Sequence, residues 1–170
     1  MTAERPAGPR RAVIVGNSDG IGHTLTRRLL GDGWIVAGLS RSPSDLRHDR
    51  YRHMVADVTS AGYPEALAAE ADALGGVDVC VYAAGVGEFI DVTDLWPQTR
   101  ALEVNLIGAA RTVEVIVPRM AAAGGGQVSG CPASPTRCPR PRPPGTPRQR
   151  RACRPTCAAC HWPCARTEWP

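Results

Sequence analysis

The sequence predicts an α/β protein, a doubly wound parallel sheet that is incomplete at its carboxyl end and leads into a disordered Arg/Pro/Cys-rich tail. Three observations carry that expectation. Short apolar runs alternate with segments of helical period through the first 128 residues, the pattern of a parallel sheet with crossover helices. A glycine cluster from Gly16 to Gly22 stands where the first run gives way to the first helix. Composition then changes abruptly near Ser129. Residues 1–128 carry 12 Arg against 15 acidic residues, whereas residues 129–170 carry 8 Arg against Glu168 alone. Those last 42 residues also hold 10 of the 16 Pro and 6 of the 7 Cys, with no Ile or Leu, and cannot supply a packed core. The expected organisation is an N-terminal extension over 1–10, one α/β domain over 11–128, and a low-complexity tail over 129–170.

Ala12-Val13-Ile14-Val15 reads as a strand buried on both faces. Ile21, Leu25, Leu29 and Leu30 then fall at helical spacing, and Gly31-Asp32-Gly33 stops that helix. Trp34 to Leu39 gives a second strand and Met54-Val55-Ala56 a short third one, leading to Asp57. Pro64 to Leu74 is an Ala/Glu-rich helix with Pro in its first turn. Val77 to Tyr82 is the fourth strand. A long helix from about Pro97 to Ala122 is expected to turn Leu102, Leu106, Val113 and Val117 toward a core, and Gly124-Gly125-Gly126 ends it.

The loop Gly16-Asn17-Ser18-Asp19-Gly20-Ile21-Gly22 lies between strand and helix, where free backbone N–H groups and the helix dipole favour a phosphate. A glycine cluster alone is equally consistent with a tight turn; its flanks favour a bound dinucleotide. At the end of the second strand, where an acidic residue would accept hydrogen bonds from the ribose of NAD, the chain has Ser40-Arg41. A guanidinium offers a charge-assisted fork to a 2′-phosphate, so NADP is expected rather than NAD, unless Arg41 simply faces solvent.

The G-x-x-x-G-x-G spacing of this loop resembles the short-chain dehydrogenase/reductase family, and three further landmarks occur in the family's order. Asp57-Val58 stands where the family contacts adenine. Ala83-Ala84-Gly85 stands where it usually has Asn-Ala-Gly, and Asn105 where it has a catalytic asparagine. The likeness runs from Arg11 to Val128. It implies a Rossmann-like fold and hydride transfer between a nicotinamide and a carbonyl or alcohol substrate, by a homo-oligomer in intact relatives; the cytoplasm is the expected compartment because the start of the sequence lacks the apolar stretch of a secretory signal and no apolar run is of membrane length. Residue by residue, it implies cofactor contacts from the glycine loop, Ser40, Arg41, Asp57, Val58 and Ala83 to Gly85, with Asn105 as the one remaining catalytic position. Ala83 departs from the family asparagine that helps hold the central sheet. From the residues alone, Asp57 is also suited to capping a turn and Asn105 to a solvated helix face.

The family would continue with a fifth strand ending in Ser and then Tyr-x-x-x-Lys, in which the Tyr phenolate exchanges the proton, Lys lowers its pKa and Ser orients the carbonyl. The sequence shows neither. All 20 basic residues are Arg, Lys never occurs, and every Tyr lies at or before Tyr82. The chain is therefore expected to be weak or inactive as an oxidoreductase, and a non-catalytic NADP-binding protein is the alternative.

The genetic code offers a reason. Every Cys codon begins TG, so a codon taken one base early must encode Leu, Met or Val. Cys153, Cys157, Cys160 and Cys164 then become four apolar residues at i, i+4, i+7 and i+11, one face of a helix. Just upstream, the Gly145-Thr146 junction permits Tyr and the Gln149-Arg150 junction permits Lys, in Tyr-x-x-x-Lys spacing. The Pro132-Ala133 junction permits Ser 13 codons before that Tyr. The expectation is a single-base slip near Val128 and Ser129 that leaves the tail out of frame.

Rival readings of the tail are weaker. Cys153, Cys157, Cys160, His161 and Cys164 have only one C-x-x-C pair, so a zinc site is disfavoured, and no metal is expected. The Arg/Pro run from Arg137 to Arg154 lacks the aromatic residues of a single-strand binder and predicts no specific nucleic-acid partner. No apolar run is long enough for a membrane span.

Overall fold

In the computed structural model, residues 8–87 and 92–130 are described. Five strands form one wholly parallel sheet: β1 (Arg11–Val15), β2 (Ile35–Ser40), β3 (Tyr51–Val55), β4 (Val79–Tyr82) and β5 (Gln127–Gly130), in the order β3-β2-β1-β4-β5. The chain crosses one way from β1 to β2 and β3 and the other way to β4. The strand order therefore reverses beside β1, and a crevice opens at the carboxyl ends of β1 and β4.

The apolar run of β1 is explained by cover on both sides. Val13 and Val15 join Ala37, Leu39, Cys80 and Tyr82 beneath α2 (Tyr63–Ala73) and the last helix, meeting Tyr63, Leu67, Ile116 and Met120. Ala12, Ile14 and Val36 face the other way, onto Leu30 of α1 (Gly20–Gly31), with Leu25, Leu29 and Trp34 at the margin. Helix α1 ends as its sequence predicts. Gly33 turns left-handed at φ +82°, its N–H bonds the Leu30 carbonyl, and the Trp34 N–H returns 3.0 Å to the Leu29 carbonyl. This closes a Schellman motif.

The long helix differs from its expectation in two ways. It is built of three pieces: α3 (Trp96–Leu102), a π turn over Glu103–Ile107, and α4 (Gly108–Ala122). It also presents the opposite face to the sheet. Leu102 and Leu106 are 62% and 61% exposed, and Val113 and Val117 both 43%, so none of the four is a core residue. The buried stripe is Val104, Gly108, Thr112, Ile116 and Met120. Close approach decides between two stripes of the same period. A Cβ at Gly108 would stand 2.4 Å from the Tyr82 hydroxyl, and Thr112 answers its own polarity by bonding the Gly108 carbonyl (2.8 Å) and the Tyr63 hydroxyl (2.6 Å). Leucines in those places would hold the helix off the sheet.

A second correction concerns the fifth strand, which is present. Gly124 (φ +86°) and Gly125 (φ +134°) turn the chain out of α4, and Gln127, Val128, Ser129 and Gly130 pair with Val79 to Tyr82. Backbone pairing requires no side-chain pattern, so the ladder runs two residues beyond the compositional break. Residues 131–170 of the tail expected over 129–170, with the Cys/His cluster, the Arg/Pro run and the shifted-frame Ser, Tyr and Lys positions, lie outside the described residues. So do residues 1–7. No helix among the described residues is long and apolar enough to cross a membrane.

Candidate cofactor site

A cavity of about 630 Å³ opens at the point where strand order reverses. Its floor is the glycine loop, and local chemistry explains the loop's shape. Gly16 leaves β1 at φ +86°, donates its N–H to the Leu39 carbonyl at 2.7 Å, and passes so near β4 that a Cβ would lie 2.3 Å from the Ala84 nitrogen. At Gly22 a Cβ would meet the Gly16 carbonyl oxygen at 2.1 Å, so the first turn of α1 rests directly on the end of β1. Asp19 caps α1, its carboxylate accepting from the Gly20 N–H at 2.6 Å, and the helical ladder begins with His23 N–H to the Asp19 carbonyl. The N–H groups of Ile21 and Gly22 belong to the first turn, where no intrahelical partner exists.

Most of the residues singled out in the sequence meet here. Gly16, Ser18, Asp19, Gly20 and Ile21 line the cavity with Ser40 and Arg41 at the end of β2, Val58, and Ala83, Ala84 and Gly85 after β4. Ala83 lacks the family's amide side chain, yet its own N–H bonds the Val15 carbonyl at 2.7 Å and continues the β1–β4 seam. Leu39, Ser42, Ala56, Val86 and Val104 complete the lining. No sequence motif marks these five, which contribute as neighbours of marked positions or, in Val104, through the π turn.

Three expected contacts lie outside the lining. Gly22 acts through packing. Asn17 is buried, its side chain in the space left by Gly38 and its Nδ2 donating to the Tyr51 hydroxyl at 2.5 Å. Asp57 is the turn cap that its alternative reading described: Oδ1 accepts from the Thr59 N–H (2.9 Å) and hydroxyl (2.8 Å), and Oδ2 pairs with Arg100 at 2.9 Å. Burial alone would raise the Asp57 carboxyl, but the Thr59 hydrogen bonds and the Arg100 charge outweigh it and hold the group below its ordinary range.

Asn105 is no solvated helix residue. It lies in the π turn, accepts from the Val86 N–H at 2.9 Å and donates to the Val86 carbonyl at 2.8 Å, clamping the strand of chain that follows Gly85. Such turns recur at functional sites because they rotate one side chain out of helical register. The three tyrosines all have structural partners. Tyr51 accepts from Asn17, Tyr63 donates to the Thr112 hydroxyl, whose own proton goes to the Gly108 carbonyl, and Tyr82 donates to the Val104 carbonyl. Burial pushes the Tyr82 phenol up to about 12.

A nicotinamide dinucleotide fits this donor set. The α1 N-terminus and Ser18 suit a pyrophosphate, Arg41 suits an anionic group at the ribose end, and the small residues Ala83 to Gly85 leave a wall against which a flat ring can lie.

Known proteins share these features. The family model described as short chain dehydrogenase matches residues 10–129. Dehydrogenase/reductase SDR family member 4 of Homo sapiens is 32% identical over 143 residues, covering 75% of this chain and 51% of that protein. The granaticin polyketide synthase putative ketoacyl reductase 2 of Streptomyces violaceoruber is 31% identical over 150 residues, covering 75% and 56%. The chain thus spans about half the length of the curated relatives it matches. Among solved structures, a short-chain dehydrogenase from Streptomyces avermitilis superposes with a TM-score of 0.66 at 25% identity, over 72% of this chain and 49% of that one. ElxO with NADP bound superposes at 0.65 with 18% identity, over 72% and 55%, and shows the shared fold. The match to the family model covers β1 to β4, all but the last residue of β5, and the glycine loop, so this chain belongs to the short-chain dehydrogenase/reductase family.

Proposed function

We propose that the chain binds NADP in the crevice beside β1, and that as an oxidoreductase it is weak or inactive. The observation that carries the cofactor reading is the convergence of the α1 N-terminus and Arg41 on one cavity. The guanidinium supports NADP over NAD, since a 2′-phosphate gains a charge-assisted fork there. When bound, the nicotinamide would supply or accept hydride with a carbonyl or alcohol substrate. This chain's residues would hold the dinucleotide, and Asn105 would fix the wall beside Val86.

Weak turnover follows from the side chains. No Lys exists in the 170 residues, and each of the three phenols is held by a partner in the core or along the sheet. None is placed to exchange a proton with a substrate. The single-base slip near Val128 remains our explanation for the absent Ser, Tyr and Lys. A second proposal concerns assembly. The exposed stripe of Leu102, Leu106, Val113 and Val117 supports a homo-oligomer of the kind the family resemblance implies.

Thermal melting of the 170-residue protein tests the cofactor reading. At a ligand concentration 100 times Kd, binding adds about 2.7 kcal/mol, so NADP should raise Tm by several degrees and NAD by less. No rise with NADP at millimolar concentration overturns the reading. Steady NADPH oxidation with carbonyl substrates, lost in the Gly16→Ala variant, would show the inactivity proposal to be wrong.

A further inference from the structure

The polar groups behind Arg41 extend one strand farther than the cofactor site itself. Ser40 closes β2, and the last bond of the β2–β3 ladder runs from the Ala56 N–H to the Ser40 carbonyl at 3.0 Å. Past that point the chain turns through Arg41 and Ser42, both on the cavity wall. The Ser40 hydroxyl lies 2.8 Å from the Ser42 carbonyl, across the corner that carries Arg41. The same hydroxyl lies 2.8 Å from Nε2 of His53 on β3, a strand the family landmarks leave unmarked.

The chemistry of these three groups sets the direction of each bond. A carbonyl only accepts, so the single hydroxyl proton of Ser40 goes to Ser42, and Nε2 of His53 must donate to the Ser40 oxygen. Burial lowers the His53 pKa, against the opposing charge of Glu70, and the ring is neutral at pH 7 with one proton to place. With that proton on Nδ1 instead, Nε2 would accept from Ser40 and the Ser42 carbonyl would lose its donor. A donor at the Nε2 position therefore keeps the corner closed. Ser40 is almost wholly buried, so it braces the corner from behind.

We propose that His53 is a positioning residue for the 2′-phosphate of NADP, acting through Ser40 to hold the Ser40-Arg41-Ser42 corner that presents the guanidinium to the cavity. The inference rests on the NADP reading and adds a specificity determinant to it. NAD, which lacks the phosphate, has no use for the brace.

Calorimetric titration of the full 170-residue chain with NADP and with NAD, at pH 7.5, tests it in three proteins: wild type, His53→Leu and His53→Gln. Leu removes the donor, whereas the Gln side-chain amide restores an N–H near the Nε2 position. His53→Leu should weaken NADP about five- to tenfold, the size of one hydrogen bond's net effect, and leave NAD within about twofold. Retained NAD binding also shows that the variant folds. His53→Gln should recover most of the NADP affinity. Equal loss for both dinucleotides in His53→Leu, or no recovery in His53→Gln, overturns the role of His53 while the cofactor reading stands. A wild-type chain that binds neither dinucleotide, or prefers NAD, overturns the cofactor reading and this inference with it.

Discussion

Replacing Gly16 by Ala separates the two demands placed on that glycine, left-handed backbone and close approach to β4. The backbone term is set by φ +86° and costs a residue with a Cβ about 1–2 kcal/mol. The contact term is larger. The new methyl would stand 2.3, 2.5 and 2.7 Å from three backbone atoms of Ala84 and Ala83, where ordinary contact begins at 3.4 Å. Relief requires a backbone shift of about 1 Å, with an overpacking cost of about 1–3 kcal/mol. That shift also strains the Gly16 N–H to Leu39 and Ala83 N–H to Val15 bonds, both 2.7 Å. The two terms sum to about 2–5 kcal/mol, a large share of the roughly 5–15 kcal/mol that holds such a domain together. Gly75 is the matched control, because it has φ +70° and nothing within 4 Å of its added Cβ. Gly75→Ala should cost about 1–2 kcal/mol, the backbone term alone. Urea unfolding followed by circular dichroism measures both. If Gly16→Ala costs no more than Gly75→Ala, the seam between the glycine loop and Ala84 is looser than described, and the reasoning fails.

Other expectations follow from the same geometry. Ile116→Ala should destabilise by about 2–5 kcal/mol, and Val113→Ala, on the exposed stripe, by about 0.5 kcal/mol or less; comparable urea midpoints for the two would reverse the assignment of the helix face. Asp57→Asn tests the depressed carboxyl. Its folded pKa lies below the ordinary 3.8, so the charge stabilises the fold above that value and ceases to do so as pH falls through the folded pKa. The stability gap between wild type and Asp57→Asn should be steady from about pH 7 to pH 5 and narrow as pH falls below the ordinary 3.8 toward the folded pKa; a gap unchanged in acid would remove Arg100 and Thr59 as its cause. Asn105→Ala breaks both bonds to Val86 and should cost about 1–3 kcal/mol while weakening NADP binding, read by melting with and without ligand. Sequencing the locus checks the reading-frame proposal, which a continuous frame encoding no Tyr-x-x-x-Lys in any register would sink.

Much of the site was legible because it is written in local backbone needs. Gly16 and Gly22 announce a loop that side chains would block, and Arg41 announces itself by following a strand end. What the sequence could not show was where side chains from separate elements compete for one space. Asn17 reads as a loop residue facing a ligand, yet Gly38 on the next strand leaves a vacancy that it fills. Asp57 reads as an adenine contact, yet Arg100, 43 positions later, takes its carboxylate. His53 carries no motif at all, and its bond to Ser40 exists only because β2 and β3 lie side by side.

The sequence by itself determined the alternation of strand and helix, the glycine loop, the family and the lack of any Lys, since each depends on residue identity at short range. Tertiary structure decided which face of the long helix is buried. Two stripes of helical spacing competed, and the outcome turned on Gly108 and Thr112, which let α4 approach Tyr82 and Tyr63 closely. It also decided that β5 exists, because a parallel partner with free hydrogen-bonding groups, offered by β4, can order four residues that show no strand pattern of their own.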